Sequence, residues 1–172
     1  MGLNPEFTFE TFVHKPHYDL AYQEALKAAE LNPLNPPHNP LYLWGGIKWD
    51  RIHLVHAIAN RALEKGHRTL LVTIPEFIDR MQEAQRADAI EDFRFRVRTP
   101  DVLVVHDLQY LTNYPELEEE FFHTIDDVRN NKGQLVLSSD VRLQSLVFQR
   151  VPDELKSRFQ WGLIAGMDPE KS

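Results

Sequence analysis

The sequence predicts an α/β fold, a parallel sheet of about five strands between two layers of helices. Three observations carry this. Short apolar runs recur along the chain, each followed by a stretch whose apolar residues fall at helical spacing. Strands that are apolar on both sides must be covered on both faces, as in a helix-sandwiched parallel sheet. The 172 residues are 42% hydrophobic, enough for one core and too many for general disorder.

The elements follow in order. Residues 18–30 are Ala-rich with helical apolar spacing. Asn32 to Pro40 holds four of the 11 prolines and is a loop. Residues 41–44 read as a buried strand that stops at Gly45-Gly46. Residues 52–65 read as a helix with Leu54, Val55, Ile58, Ala62 and Leu63 on one side, closed by Gly66. Residues 69–73 form the second strand, and the helical pattern of 75–98 breaks near 86–89. Residues 102–105 are the third and most apolar strand. A helix opened by Pro115 and three glutamates spans 115–131, and residues 135–137 are the fourth strand. Pro152 starts a short helix, since proline suits a first turn. Residues 163–165 are the last strand. Neither repeats nor low-complexity segments occur, so residues 1–172 read as one domain.

Composition excludes several functions. Nineteen Lys+Arg against 26 Asp+Glu give a net charge of −7, which argues against coating nucleic acid without sequence preference. Without cysteine there are no disulfides, thiolate zinc sites or cysteine nucleophiles. No apolar run approaches the roughly 20 residues of a membrane span. The amino terminus lacks a signal-peptide layout, and Glu6 stands where myristoylation needs Ser or Thr. The expected location is the cytoplasm.

Ligands in such folds sit at the carboxyl ends of the strands. After the first strand, a Walker A loop would read G-x-x-x-x-G-K-[ST]. Here it reads Gly45-Gly46-Ile47-Lys48-Trp49-Asp50-Arg51-Ile52. Asp50 puts a Cβ and a negative charge where a backbone N–H should meet a phosphate. Arg51 keeps the charge of the lysine but not its compact ammonium. Ile52 has no oxygen for Mg²⁺.

Longer segments carry a resemblance. They are Leu3-Asn4-Pro5-Glu6-Phe7-Thr8-Phe9, Asn39-Pro40-Leu41-Tyr42-Leu43-Trp44-Gly45-Gly46 and His53-Leu54-Val55-His56-Ala57-Ile58. Then come Glu119-Glu120-Phe121-Phe122-His123-Thr124, Ser139-Asp140 and Lys156-Ser157-Arg158-Phe159-Gln160-Trp161-Gly162-Leu163. In this order the chain resembles the AAA+ domain of the bacterial chromosomal replication initiator, DnaA. The resemblance implies a P-loop NTPase-like AAA+ base subdomain, without the helical lid or the helix-turn-helix domain. It implies Ser139 and Asp140 as the sensor 1 region, and Arg158 as the arginine finger that completes a neighbour's nucleotide site in trans.

The chain departs from that pattern at the nucleotide site. The Walker A glycines and Lys-Thr pair fall on Lys48, Asp50, Arg51 and Ile52. In Walker B, His106 replaces the aspartate that organises Mg²⁺, and Asp107 keeps the second aspartate. Neutral imidazole does not replace a hard anionic oxygen for Mg²⁺. On the adenine side, Lys15 and Tyr18 replace a glycine and an asparagine. In the single-strand-binding loop, Tyr114 and Glu116 replace two cations, which removes phosphate attraction. Near the finger, Glu154 replaces a second arginine and offers Arg158 an i, i+4 partner.

Other clusters read as structural. His53 and His56 are i, i+3 on a helix that the resemblance explains, so no metal site is expected. Arg94, Arg96 and Arg98 read as a solvated face, and the Glu116-Glu118-Glu119-Glu120 run as acids favoured at a helix N-terminus.

The expectation is therefore a DnaA-like pseudo-ATPase, not an enzyme, acting by protein contacts in initiation of chromosomal replication or its regulation. Its expected partner is a replication initiator or another replication protein. A homo-oligomer is compatible with the fold, DNA binding is expected to be weak or absent, and no membrane is involved. No cofactor is expected; ATP and Mg²⁺ enter only if the altered loop still functions. The alternatives are a nucleotide-binding initiator fragment and a nucleic-acid module without ATP control. Saturable ATP binding that needs Arg51 marks the first, and salt-sensitive single-strand binding marks the second.

Overall fold

A computed structural model describes residues 2–169. Its five strands are β1 (Leu41–Trp44), β2 (Thr69–Thr73), β3 (Val102–His106), β4 (Gln134–Ser139) and β5 (Leu163–Gly166). All pair in parallel, in the order β2-β3-β4-β1-β5. The helices are α1 (Asp19–Glu30), α2 (Lys48–Glu64), α3 (Ile74–Arg86), α4 (Ile90–Arg98), α5 (Glu118–Asn130) and α6 (Pro152–Phe159).

Alternation along each strand divides the core in two. Tyr42, Leu103, Val105, Leu135 and Leu137 pack with Phe77, Phe93, Phe121 and Phe159 of α3 to α6. Leu41, Leu43, Val102, Val104 and Val136 pack with the alanines of α1 and the apolar side of α2. This is the three-layer arrangement the apolar runs predict.

Most boundaries agree with expectation within a residue or two, and the break in residues 75–98 falls between α3 and α4. Two readings need correction. Helix α2 begins at Lys48 rather than residue 52. Its first turn, Lys48-Trp49-Asp50-Arg51, carries no inward apolar pattern, and Trp49 is 67% exposed. Leu63 is not on the buried side with Leu54, Val55, Ile58 and Ala62; it is exposed.

The acidic run also does more than favour a helix dipole. Glu118 is fully buried, and its carboxylate accepts backbone N–H groups of Gln149, Arg150 and Val151 at 2.7–3.2 Å. It thereby fixes the approach to α6. Glu120 accepts from Arg94 at 3.0 Å and Arg98 at 2.9 Å, so two of the three arginines of the basic strip join α4 to α5.

Candidate functional site

The carboxyl ends of β1, β3 and β4 bring the candidate residues together. Gly45 N–H donates to Ser139 O at 3.1 Å, tying the start of the loop to the end of β4. Gly45 and Gly46 take positive φ values of 79° and 71°, a left-handed turn that needs glycine. A cleft of about 220 Å³ opens there, lined by Gly45, Gly46, Lys48, Arg51, Gln109 and Asp140 among others. It is smaller than the roughly 300–1,000 Å³ typical of small-molecule sites. A larger cleft, about 490 Å³, lies between α3 and α4 and includes Arg96, away from these strand ends.

Charges in the loop find partners within the chain. Arg51 is 5% exposed and donates from Nη1 to Gly45 O at 2.7 Å. Asp50 Oδ2 accepts from Tyr18 Oη at 2.7 Å and Lys15 Nζ at 3.2 Å. Burial, then the Asp50 bond, pushes the Tyr18 phenol up to about 12. Gly46 N–H donates to Asp168 Oδ1 at 2.6 Å. Ile52 is packed into the protein and Lys48 is exposed.

At the end of β3, His106 is 3% exposed. Its Nδ1 lies 3.5 Å from Asp107 Oδ2, and its ring lies 6.2 Å from that of buried His56. Burial opposes ionisation of Asp107, but the bond to His106 and the positive charges of Arg51 and Lys48 nearby outweigh it and lower its pKa. His56 Nδ1 accepts from Asn4 N–H at 3.0 Å, and His53 Nε2 lies 2.8 Å from Thr8 O. These histidines thus clasp the amino-terminal segment. Among the described residues, no group of three or more His, Asp or Glu side chains is arranged to hold a metal.

In the sensor 1 region, buried Ser139 accepts Val141 N–H on Oγ at 3.2 Å. Asp140 is exposed at the cleft, and its N–H donates to Gln109 at 3.3 Å. Arg158 lies away from this cleft, on α6. Nε and Nη2 donate to the two carboxylate oxygens of Asp126 at 2.8 and 3.4 Å. Its guanidinium stacks 4.3 Å from the Trp161 ring and 4.9 Å from Phe122. Asp126 of α5, not Glu154, is its partner. Tyr114 packs against the core rather than standing free, while Glu116 is exposed.

Reading the chain alone missed the grouping of Lys15, Tyr18 and Asp50. They look like separate departures from one pattern, yet they form one cluster. Their shared signal is that all three positions depart together. Asp168 had no signal in the sequence.

Residues 3–166 match the family described as the bacterial DnaA ATPase domain. The chromosomal replication initiator protein DnaA of Aliarcobacter butzleri is 40% identical over 163 residues, 95% of this chain and 36% of that protein. AMPPCP-bound DnaA from Aquifex aeolicus superposes with a TM-score of 0.88 at 30% identity, covering 98% of this chain and 52% of that one. A replication initiator DnaA bound to AMPPCP and single-stranded DNA gives 0.87 at 28% identity, covering 99% and 52%. The chain spans about a third of the length of the curated relatives it matches, as the 36% coverage of the A. butzleri protein shows.

Proposed function

The chain belongs to the bacterial DnaA ATPase domain family, and from that premise we propose that it is a single AAA+ base subdomain acting by protein contacts in replication initiation or its control, without Mg-ATP as its switch. One observation carries this reading. The Gly46 N–H, a donor that would face a phosphate, is engaged by the chain's own Asp168, and Arg51, at the lysine position, is spent on the carbonyl of Gly45. Mg²⁺ fares no better: Ile52 offers no oxygen, and His106 presents a buried imidazole in place of a carboxylate. The residues present do not fit the nucleotide and its metal, and no hydrolytic step is assigned to them.

The chemistry left facing outward is on α6. Arg158 is held in plane by Asp126 and two aromatic rings, yet its side chain stays 23% exposed. A guanidinium fixed in this way exchanges a carboxylate for a phosphate with little reorganisation. In the proposed mechanism it docks against the ATP site of an initiator subunit. The loop face offers the next subunit no nucleotide, so the chain caps a filament or triggers its neighbour's hydrolysis. DNA binding is secondary, because Tyr114 is packed and Glu116 carries the wrong charge for a phosphate.

The test mixes this protein with an ATP-loaded DnaA initiator and follows hydrolysis and filament length. A change in either, abolished by Arg158→Ala, is expected. No change in either, with Arg158→Ala equally inert, overturns the proposal. The alternative, an ATP-binding initiator fragment, draws on Arg51 standing at the loop's lysine position beside Lys48 and on the relatives bound to AMPPCP.

A further inference from the structure

Beyond the altered motif residues, the chain places an anion of its own in the loop. Met167 N–H donates to Trp44 O at 2.8 Å, so β5 stays paired with β1 up to the start of the glycine turn. The next side chain is Asp168, whose Oδ1 accepts Gly46 N–H at 2.6 Å. A Cβ on Gly45 would stand 2.7 Å from that same oxygen, and one on Gly46 would stand 2.8 Å from Met167 Cβ. The turn and residues 167–168 therefore fit each other only because both positions lack side chains. The Gly45 N–H is held by Ser139 O, but the Gly46 N–H points at an anion, and Lys48 and Arg51 add positive charge to the same cleft.

We infer that the Gly46 N–H, with Lys48 beside it, is an anion seat whose resident ligand is the carboxylate of Asp168, a tethered competitor that keeps phosphate out. This rests on the nucleotide-independent reading above and deepens it: the loop lost its phosphate partly by acquiring a substitute. A tethered group acts at an effective concentration of millimolar or more, and its negative charge also repels an incoming phosphate. Asp168 is exposed and its carboxylate makes one hydrogen bond to the turn, so it competes for the seat rather than sealing it. Removing it should uncover an affinity for small polyanions that the unmodified chain masks.

Calorimetric titration with inorganic pyrophosphate tests this on the whole chain, with Asp168→Ala, Asp168→Asn and the double variant Asp168→Ala/Lys48→Ala alongside. Near-UV circular dichroism checks that each is folded. Asp168→Ala is expected to bind at least about tenfold more tightly than the unmodified protein, as loss of a tethered competitor predicts. That gain should shrink with added salt and with loss of Lys48. Asp168→Asn, which keeps an acceptor but no charge, should fall between the two. A folded Asp168→Ala that binds no more tightly than the parent overturns the inference and leaves the functional proposal standing. Saturable Mg-dependent ATP binding by the unmodified protein overturns that proposal, whatever pyrophosphate does.

Discussion

Two arginines at opposite ends of the molecule show how differently it treats its charge. Arg51, in the loop after β1, is 5% exposed and bonded to Gly45 O within its own turn. Arg158, on α6, keeps 23% of its side chain in solvent while Asp126, Phe122 and Trp161 fix its plane. Near Arg51, Asp50 is the shared acceptor of Lys15 and Tyr18, and Asp168 takes the Gly46 N–H, while Lys48 stays exposed. Around Arg158, the contacts orient the guanidinium without enclosing it. The fold alone fixes neither outcome. Arg51 is buried against its own loop, and Arg158 is fixed but still partly open to solvent.

The difference can be broken first at its support. Glu118 is the buried carboxylate that holds the chain before α6, and Glu118→Ala leaves three backbone N–H groups without their acceptor. We expect a loss of about 3–5 kcal/mol by urea unfolding, with the approach to α6 loosened while the loop end keeps its contacts.

The next effect belongs to the loop end and is read by pH. Burial, then the neighbouring His106 and His53 imidazoles, holds His56 down at about 4 from its ordinary 6.5. The native form is neutral, so the unfolded chain binds the extra proton in this range. Stability is full above pH 6.5 and falls as pH drops from there to about 4. This contribution reaches up to about 3 kcal/mol. His56→Gln should flatten that part of the stability–pH curve, measured by thermal unfolding across the range.

A third substitution sharpens the contrast. Asp50→Gly restores a glycine of the phosphate-loop pattern, yet it removes the acceptor shared by buried Tyr18 and Lys15. We expect a destabilisation of about 1–2 kcal/mol by thermal melt, and no gain in ATP binding. The smallest stability effect is expected for Arg158→Ala, below about 1 kcal/mol by urea unfolding, because its ion pair is partly solvated. The same change should abolish any effect on an initiator's ATP hydrolysis. Large stability loss at Arg158 would mean that its role is structural and that the two ends are alike.

Much of this fold can be read from the sequence because strand burial and helical periodicity repeat with fixed spacing. Trp44 to Gly45, His106 and Ser139 are legible as strand ends for the same reason. The start of α2 is not, since Lys48 and Trp49 face solvent and the inward residue of its first turn is the charged Arg51 rather than an apolar one. Side-chain pairings are the other gap. Asp126 meets Arg158 across two helices, Asp168 reaches Gly46 from the far end of the chain, and Asp50 joins Lys15 and Tyr18 of the amino-terminal region. No local spacing encodes these meetings; they follow from β5 lying beside β1, α1 against α2, and α6 against α5.

If the chain acts without Mg-ATP, its loop takes no nucleotide. Titrating the purified protein with a fluorescent ATP analogue, with and without Mg²⁺, tests it most directly. No saturable binding into the high micromolar range is expected under either condition. Saturable binding that requires Mg²⁺ and is lost in Arg51→Ala would contradict it and return the chain to the nucleotide-switched members of its family.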